Sequence, residues 1–431
     1  MFIRRIAVIG TGYVGLTTGA CLASLGHRVV CADVNGAKVE QLRRGVVTIQ
    51  EPGLAGLVSA GLAAGRLEFV VGASAAVADA EVVFLCVPTP MGTSGGADMA
   101  AVESVTAEIC DQLPAGAVVV NKSTVPVGTA ARTAALLGRD DVAVVSNPEF
   151  LREGSAVEDF LSPDRIVVGC DAQDAAERVA ALYARLGAPA VLTDAASAEM
   201  VKYAANCFLA MKLSYVNAIA ELCERLGADV VDVTEGMGYD RRIGQAFLSP
   251  GPGWGGSCLP KDTHALAQVA AAAQFDFSLL TASLATNTRA QHRMVDKVRA
   301  AVGGSLAGVR IGLLGLTFKA GTDDLRDSPA LAVAALLAAE GADLAGYDPG
   351  IRGAVPGLTD DLQVVDDPLK AATGAAALVV LTEWPEFRTL DWATLADAVT
   401  TRTVIDTRNL LDPDVLARVG FHVHGVGRRP Q

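Results

Sequence analysis

The stretch RRIAVIGTGYVGLTTGACLASLGHRVVCADVN, residues 4–35, decides the fold. An apolar strand leads into a turn with Gly10, Gly12 and Gly15, a helix follows, and a second strand ends at Asp33. The three glycines permit a tight turn, close approach of a pyrophosphate and close packing of the helix, while the terminal acid can bind both ribose hydroxyls. Because a carboxylate there would repel a 2′-phosphate, the pattern predicts a Rossmann unit that binds NAD rather than NADP. A glycine-rich turn of another α/β fold is the alternative.

Three further apolar runs are predicted strands of the same parallel sheet: AEVVFLCVPTP (80–90), AVVVNKSTVPVG (117–128) and VAVVSNPEFL (142–151). Each ends in a polar or proline-containing turn, and the carboxyl ends of parallel strands line the ligand crevice. A capping or turn role is the alternative for each polar side chain. The residues expected to face one site are Thr89, Ser123, Thr124, Asn147, Glu149 and Glu153.

The middle of the chain has a helical pattern. The run SAEMVKYAANCFLAMKLSYVNAIAELCERLGAD (197–229) has no proline, and its first glycine is Gly227. Lys202 and Asn206 are four residues apart and therefore share one helix face, which favours a buried polar site in an apolar surface. Two more helical runs, 262–274 and 279–302, complete this segment, and their apolar faces could pack against a second copy of the chain.

The segment 309–349 repeats the opening plan of strand, glycine-rich turn, helix and strand, and it ends in an acid, Asp348. Its turn contains Lys319 and Arg326, which suit a phosphate-bearing ligand. The predicted fold class is α/β, with two Rossmann-like, doubly wound parallel-sheet domains joined by a central all-helical segment. The predicted domains are an NAD-binding domain (1–195), a helical dimerisation domain (196–302) and a second Rossmann-like domain (303–431) whose cations suit a phosphate-bearing ligand.

Composition excludes several classes of protein. The chain has 431 residues, 51% of them hydrophobic, and a formal net charge of −13, which argues against a nucleic-acid partner. No apolar run has the length of a membrane helix, and the apolar stretch near the start is too short for a signal peptide. The eight cysteines form no CxxC pair. We therefore expect a reduced, cytoplasmic protein without a membrane segment, a structural disulfide or a metal site.

One cysteine has unusual surroundings. Cys258 follows the glycine- and proline-rich segment PGPGWGG (250–256), for which we expect a flexible loop that closes over a ligand. The residue is expected to open a helix, whose dipole favours a thiolate, with Lys261 one turn on and Asp262 on the same face. A nucleophilic cysteine in a dehydrogenase can trap an aldehyde as a thiohemiacetal, and oxidation then gives a thioester that water hydrolyses to an acid.

Eight motifs in order resemble the UDP-glucose/GDP-mannose dehydrogenase family: GTGYVG, VPTP, KSTVPVGT, NPEFLREG, VKYAANCF, RIG, GGSCLPKD and GLTFKAGTDDLRDSP. The resemblance implies oxidation of the C6 hydroxyl of UDP-glucose to UDP-glucuronate in two hydride transfers to NAD. GDP-mannose is the alternative substrate with the same chemistry. A non-catalytic nucleotide-sugar sensor and a two-electron hydroxyacid-type dehydrogenase are further alternatives, but neither explains Cys258.

The resemblance also implies that the domain 303–431 binds the UDP-sugar, and it implies roles for individual residues. Cys258 would be the nucleophile, and Lys202 and Asn206 would stabilise oxyanions. Three more residues would handle protons and position the hydrolytic water, and how they divide these roles stays open. Those three are Asp262, Glu153 and Thr124. Arg242 would reach the substrate from the neighbouring subunit of a homodimer that pairs through the central helices. The cofactor residues implied are Gly10, Gly12, Tyr13, Val14, Gly15, Asp33, Lys38, Thr89, Ser123, Thr124, Glu153, Lys261 and Arg326. The substrate residues implied are Glu149, Phe150, Leu151, Arg152, Lys202, Asn206, Arg242, Phe247, Leu248, Gly253, Trp254, Gly255 and Lys319.

Overall fold

The structure of the protein, a computed structural model, describes residues 3–92, 95–351 and 362–429. The chain forms two compact units. The first unit consists of Met1–Ala205 with His264–Ala273, and the second of Asn206–Thr263 with Gln274–Gln431.

The first unit is built on a sheet whose strands alternate their side chains between two apolar faces. Ile6 and Val8 of the first strand pack into one core, and Ala7 and Ile9 into the other. Strands buried on both faces read as continuous apolar runs, which is why these segments are recognisable in the sequence. The strands of this unit are β1 (Arg5–Ile9), β2 (Arg28–Asp33), β3 (Leu67–Val71), β4 (Val82–Leu85), β5 (Val118–Asn121), β6 (Ala143–Ser146), β7 (Ile166–Gly169) and β8 (Ala190–Thr193).

The strand order in the described part of this sheet is β3-β2-β1-β4-β5-β6-β7-β8. The first six strands are parallel and have the order typical of a dinucleotide-binding fold. The seventh pairs antiparallel with β6 through Ser146 and Gly169, and β8 runs parallel to it. The sequence prediction did not include these last two strands. The helices between the strands are α1 (Tyr13–Ser24), α2 (Gly36–Arg43), α3 (Leu54–Ala63), α4 (Ser74–Val77), α5 (Ala100–Ile109), α6 (Thr129–Leu137), α7 (Ala156–Leu161) and α8 (Gln173–Leu182).

The predicted central helices are present, and two of them contribute residues to both units. These two are α9 (Ala195–Leu226) and α11 (Leu259–Ala272). Asp194 begins α9, because its carboxylate accepts a hydrogen bond from the backbone N–H of Ser197. The third predicted helix is α12 (Ser278–Ala301), whereas α10 (Val230–Gly238) is not among the predicted helices. The three-domain division expected from the sequence stays a prediction.

The sheet of the second unit has the same order of strands, β11-β10-β9-β12-β13-β14, and every pairing in its described part is parallel. One of its faces packs against α9 and α12 through residues such as Cys223 and Met294. The predicted fold class, two Rossmann-like parallel sheets with helices between them, is therefore confirmed. The strands are β9 (Arg310–Leu314), β10 (Asp343–Tyr347), β11 (Leu362–Val365), β12 (Ala377–Val380), β13 (Thr403–Asp406) and β14 (His422–Gly425). The remaining helices are α13 (Pro329–Ala339), α14 (Pro368–Ala372), α15 (Trp392–Ala398) and α16 (Pro413–Arg418).

All eight cysteines lie in the described ranges and are free thiols. Among the described helices, none combines the length and the apolar character that crossing a membrane requires.

Candidate active site

The glycine-rich turn after β1 has the geometry that a dinucleotide requires. Gly10 has φ +96°, and a Cβ there would lie 2.6 Å from the carbonyl oxygen of Cys86. A Cβ on Gly15 would lie 1.9 Å from the carbonyl oxygen of Gly10, so the helix can approach the turn only without a side chain. A Cβ on Gly12 would meet nothing within 4 Å. The open space at Gly12 and the start of α1 at Tyr13 therefore fit a pyrophosphate on the helix N-terminus.

Asp33 is positioned by the residues around it. Its carboxylate accepts hydrogen bonds from the N–H and hydroxyl of Thr11 (3.0 and 2.6 Å) and from the N–H of Asn35 (3.0 Å), and Lys38 Nζ lies 3.3 Å away. Burial alone would raise the pKa of Asp33, but these hydrogen bonds and the Lys38 charge lower the pKa to about 2. The carboxylate is thus ionised and held at the end of β2, where a ribose would bind.

Hydrogen bonds connect the loops at the carboxyl ends of β4 and β5. The hydroxyl of Thr89 donates to the carbonyl of Thr124 (2.9 Å), and the hydroxyl of Ser123 donates to the carbonyl of Val87 (2.7 Å). The structure therefore brings Thr89, Ser123 and Thr124 together, as the sequence predicts for strand ends of one sheet.

The loop that contains Glu153 is hydrogen-bonded to Tyr13 and Glu51. The N–H of Gly154 donates to the hydroxyl of Tyr13 (2.7 Å) and to the carboxylate of Glu51 (2.8 Å). Val14, next to Tyr13, is half-buried against the core of the first unit. Glu51 is absent from the predicted residues, although its side chain fixes a loop that carries one of them.

Lys202 forms a buried ion pair in the first unit. Its Nζ lies 3.2 Å from Glu149 Oε1, and both side chains are almost fully buried. Two cations lie near the ring of Phe150, with Lys202 Nζ 5.4 Å and the Arg165 guanidinium 3.6 Å from its centroid. Glu149 also accepts the N–H of Leu151 (2.6 Å). The predicted buried polar site on the Lys202 face is thus present, together with an unpredicted stacking partner, Arg165.

A second buried amine lies in the same unit. Lys122 Nζ donates to Asn147 Oδ1 (3.2 Å) and lies 3.4 Å from the hydroxyl of Tyr183. Burial lowers the pKa of Lys122 to about 8, and the Glu149 charge only partly offsets this. Asn147, predicted to face the site, is committed to this network, because its amide also donates to the carbonyl of Val167 (2.7 Å).

Cys258 lies directly before α11 in the second unit. Its carbonyl accepts the N–H of Asp262 (2.9 Å), the first hydrogen bond of the helix, and its side chain is half-buried. The sequence prediction that Cys258 opens a helix is therefore confirmed by the geometry. The hydroxyl of Ser257 lies 3.6 Å from Cys258 Sγ.

Asp262, one turn after Cys258, is fully buried and is held on both oxygens. Oδ2 accepts a hydrogen bond from Asn206 Nδ2 (2.6 Å), and Oδ1 lies 2.5 Å from Lys261 Nζ. The structure therefore brings Asn206 to the helix that follows Cys258. Lys261, expected on the cofactor side, is paired with Asp262.

Cys258 is less buried than Cys207 and Cys21. Burial raises the pKa of Cys207 to about 12, with the Asp262 charge contributing, and burial alone raises the pKa of Cys21 to about 12. Neither thiol is suited to act as a thiolate. Both agree with the structural role that their apolar neighbours predict.

The loop expected to bind the nucleotide sugar packs closely in the second unit. Leu248 and Trp254 are buried, and Phe247 has φ +61°. A Cβ on Gly255 would lie 1.9 Å from the carbonyl oxygen of Asp327, so this glycine permits close contact with the turn before α13.

The predicted cations are mostly paired with acids close in sequence. Arg242 pairs with Asp240 (2.6 Å), although 90% of its side chain is exposed, and Arg326 pairs with Asp324 (2.6 Å). Arg152 pairs with Asp159 (2.5 Å), and Lys319 Nζ lies 5.8 Å from the ring of Phe318.

Of the predicted catalytic residues, Lys202, Thr124 and Glu153 belong to the first unit, and Cys258, Asn206 and Asp262 to the second. Lys202 and Asn206 occupy successive turns of α9. The architecture and the glycine turn together define a dinucleotide-binding protein built from two Rossmann-like units.

Comparison with known proteins gives the family. Models of the UDP-glucose/GDP-mannose dehydrogenase family match the chain in three consecutive parts: the NAD binding domain at residues 4–187, the central domain at 196–289 and the UDP binding domain at 312–413. The chain belongs to this family. It is an NAD-dependent oxidoreductase that acts on nucleotide sugars.

Individual relatives align over nearly their whole length. The UDP-glucose 6-dehydrogenase of Rhizobium meliloti is 46% identical, over 98% of this chain and 99% of the relative. That of Bacillus subtilis is 41% identical, over 99% and 93%. The structure of a UDP-glucose dehydrogenase from Pyrobaculum islandicum superposes with a TM-score of 0.91 at 37% identity and covers 99% of this chain and 98% of that one.

Proposed function

We propose that the protein oxidises the C6 hydroxyl of UDP-glucose to the carboxylate of UDP-glucuronate. The curated relatives that align over nearly the whole chain are named for UDP-glucose, and this supports the choice of sugar. The observation that carries the chemistry is the half-buried Cys258 at the start of α11, one turn before the buried Asp262. A dehydrogenase that only formed an aldehyde would not need such a cysteine.

The reaction proceeds in balanced steps. Removal of a hydride from C6 and a proton from its hydroxyl gives an aldehyde, and the Cys258 thiolate adds to its carbonyl carbon to form a thiohemiacetal. Removal of a second hydride and the hydroxyl proton gives a thioester, and water then releases the carboxylic acid and the thiol. NAD, when bound at the Gly10–Gly15 turn, accepts one hydride in each oxidation, so each sugar consumes two NAD.

Two side chains of α9, one cation and one amide, are proposed to stabilise the negative charge that develops on the sugar oxygen. Lys202 Nζ lies 3.2 Å from Glu149 and can stabilise an oxyanion on the sugar, and Asn206 supplies an amide donor one turn later. In the structure that amide donates to Asp262 (2.6 Å). Asp262 is thereby oriented to hold or move a proton next to Cys258, with Thr124 and Glu153 as the further candidates for positioning water.

The test is the ratio of NADH formed to nucleotide sugar consumed, with each sugar limiting. We expect two NADH per UDP-glucose and little NADH from GDP-mannose. Two NADH per GDP-mannose would keep the chemistry and reject the proposed sugar, whereas a ratio of one would reject the cysteine mechanism.

Cys258→Ser tests the nucleophile directly. We expect loss of UDP-glucuronate formation, by more than about a thousandfold, with the Kd for NAD nearly unchanged, because the hydroxyl of serine is far less acidic than a thiol. Cys110→Ser is the matched control, since its thiol only donates to the carbonyl of Leu137 (3.0 Å) and a hydroxyl can do the same. Undiminished acid formation by the Cys258 variant would remove this residue from the mechanism.

We also propose that the protein is a homodimer. Phe208, Tyr215 and Leu222 are spaced seven residues apart along α9 and are 56%, 53% and 48% exposed, so they form an apolar stripe of the kind that pairs helices. Arg242, in the same unit, is exposed and can reach a second copy.

Subunit complementation tests both the dimer and the role of Arg242. Mixing inactive Cys258→Ser with inactive Arg242→Ala should restore about a quarter of wild-type activity, because half of the dimers are mixed and one of their two sites is intact. Either variant mixed with wild type is the control for exchange of subunits. No recovery despite demonstrated exchange would show that each chain supplies its own Arg242.

A further inference from the structure

The 243–256 loop contains glycines that serve close packing. Gly253 has φ +110°, and a Cβ there would lie 2.7 Å from Asn287 Oδ1. Gly256 has φ +84°, and a Cβ there would lie 2.7 Å from the ring of Phe318. Both positions need glycine for their backbone conformation and for lack of space. The glycine content, which suggests a flexible lid in the sequence, is thus explained by contact with neighbouring elements.

The end of this loop is hydrogen-bonded to two helices. Asn287 of α12 accepts the N–H of Trp254 (2.7 Å) and donates to the carbonyl of Trp254 (3.0 Å), so one amide satisfies both backbone groups of a residue. The indole N–H of Trp254 donates to Ser214 of α9 (2.9 Å), and the N–H of Gly251 donates to Asn217 of α9 (2.8 Å).

The beginning of the loop is held by one cation. Lys212 Nζ of α9 donates to the carbonyls of Ile243 (2.9 Å), Gly244 (3.3 Å) and Ala246 (2.6 Å). An ammonium has three donors, and all three are used on this backbone. Side chains from two helices therefore bind both ends of a loop that has no regular secondary structure of its own between Gly244 and Gly256.

We propose that these contacts hold the 243–256 loop in its binding conformation before substrate arrives, and that Asn287, supported by Lys212, is a positioning residue for the nucleotide sugar. The inference rests on the proposed function, in which this loop binds that substrate. Asn287 acts through the backbone of Trp254. Without Asn287 the loop would lose conformational entropy when the nucleotide sugar binds, and this would weaken binding. That cost falls equally on ground state and transition state, and it raises KM while leaving kcat almost unchanged.

The experiment compares Asn287→Ala with Thr288→Ala, an exposed neighbour on α12. Hydrogen exchange of peptides covering 243–256 is measured first, without substrate. We expect the N–H of Trp254 to exchange at least about tenfold faster in the Asn287 variant, since two hydrogen bonds are lost, and to be unchanged in the control. Steady-state kinetics with UDP-glucose should then give a KM raised about tenfold, a kcat within about twofold and an unchanged KM for NAD.

Variants of Lys212 test the same proposal independently, in case Asn287→Ala does not fold. Lys212→Met keeps the length of the side chain and removes all three donors, and Lys212→Arg keeps a donor-rich cation as the conservative rescue. We expect faster exchange at 243–246 and a raised KM for UDP-glucose in the Met variant, with both effects smaller in the Arg variant.

The outcomes separate this inference from the proposed function. Unchanged exchange of the loop in both Asn287→Ala and Lys212→Met would overturn the inference, as would a loosened loop with an unchanged KM or a loss confined to kcat. If wild-type protein releases no NADH with UDP-glucose, the proposed function fails, and the exchange of Trp254 still decides whether Asn287 holds the loop.

Discussion

The turns after β1 and β9 begin with the same backbone geometry but differ in what they contact afterwards. Gly10 and Gly315 have φ values of +96° and +95°, and each donates its N–H, at 2.8 Å, to the residue before the acid that ends the next strand. These acceptors are the carbonyls of Ala32 and Tyr347. The internal repeat that the sequence predicts is therefore present in atomic detail at the turn.

The acids after these strands differ in what they contact. Asp33 accepts four hydrogen bonds, from the N–H and hydroxyl of Thr11, the N–H of Asn35 and the ammonium of Lys38, and its side chain remains 14% exposed. Asp348 is buried and accepts five hydrogen bonds, from the N–H groups of Leu316 (2.7 Å), Thr317 (2.9 Å) and Gly350 (2.7 Å), the hydroxyl of Thr317 (2.9 Å) and the indole of Trp384 (3.1 Å).

The helix that follows each turn shows the same contrast. α1 begins at Tyr13, next to Gly12, which has no side chain to cap it. α13 begins only at Pro329, and Ser328 caps it by accepting the N–H groups of Ala330 and Leu331. The first turn leaves polar groups for a ligand, whereas the second uses its acid and its helix cap within the protein. A shared motif thus gives the start of the turn, and the neighbouring residues decide whether the acid stays partly exposed or is buried within the fold.

Asp348→Asn should have the largest effect and should act on stability. Every partner of this carboxylate is a donor, so an amide NH₂ on either side would face a donor and lose its bonds. We expect unfolding of the second unit to become easier by about 2–4 kcal/mol. Trp254, Trp384 and Trp392, the three tryptophans of the chain, all lie in that unit, so urea unfolding followed by tryptophan fluorescence measures it selectively.

Asp33→Asn is the matched control for that measurement, because it is the same substitution at the equivalent position of the first unit. The tryptophan transition should then stay at its wild-type urea concentration. Equal shifts in both variants would show that the two units unfold together, so that the tryptophan transition does not report the second unit alone, and would break the comparison.

The sequence predicts the site to the extent that the decisive contacts are local. The glycine turn, the acid at the end of β2 and the helix that begins after Cys258 all lie within a few residues of the groups that determine them, and each is where the sequence places it. The use of Asp348 could not be predicted, since Trp384 is far away in sequence. The helix sequence likewise gives no sign that Asn287 meets Trp254.

One missed residue did carry a signal. Glu199 is an acid in the predicted central helix, three positions before Lys202. It is buried and accepts the N–H groups of Gly128 (2.6 Å) and Ala130 (2.8 Å) at the start of α6. A buried acid needs such partners, and the glycine of KSTVPVGT is a natural source of them. The spacing alone would not have identified which backbone groups they are.

Asp33→Ala should have the smaller effect on stability and a selective effect on binding. We propose that this carboxylate binds the ribose hydroxyls, and we therefore expect its loss to raise the Kd for NAD between about tenfold and a hundredfold and to narrow the preference for NAD over NADP. The exposed Asp79 of the same unit supplies the control, Asp79→Ala. Titration calorimetry with each dinucleotide measures both quantities, and an unchanged Kd for NAD would place the ribose contact elsewhere.

The pH dependence of NAD binding sharpens this prediction. Hydrogen bonds and Lys38 lower the pKa of Asp33 to about 2, against an ordinary value of about 3.9, after burial has acted in the opposite direction. A depressed pKa means that the stabilisation from this carboxylate is complete above about pH 4 and is lost only as the pH falls towards 2. The Kd of wild-type protein for NAD should therefore show no titration of this carboxyl between about pH 3.5 and 8, a range in which a carboxyl of ordinary pKa would titrate. A step in affinity near pH 4 to 5 that disappears in Asp33→Ala would mean that the carboxyl titrates normally, and that Thr11 and Lys38 do not hold it as the structure indicates.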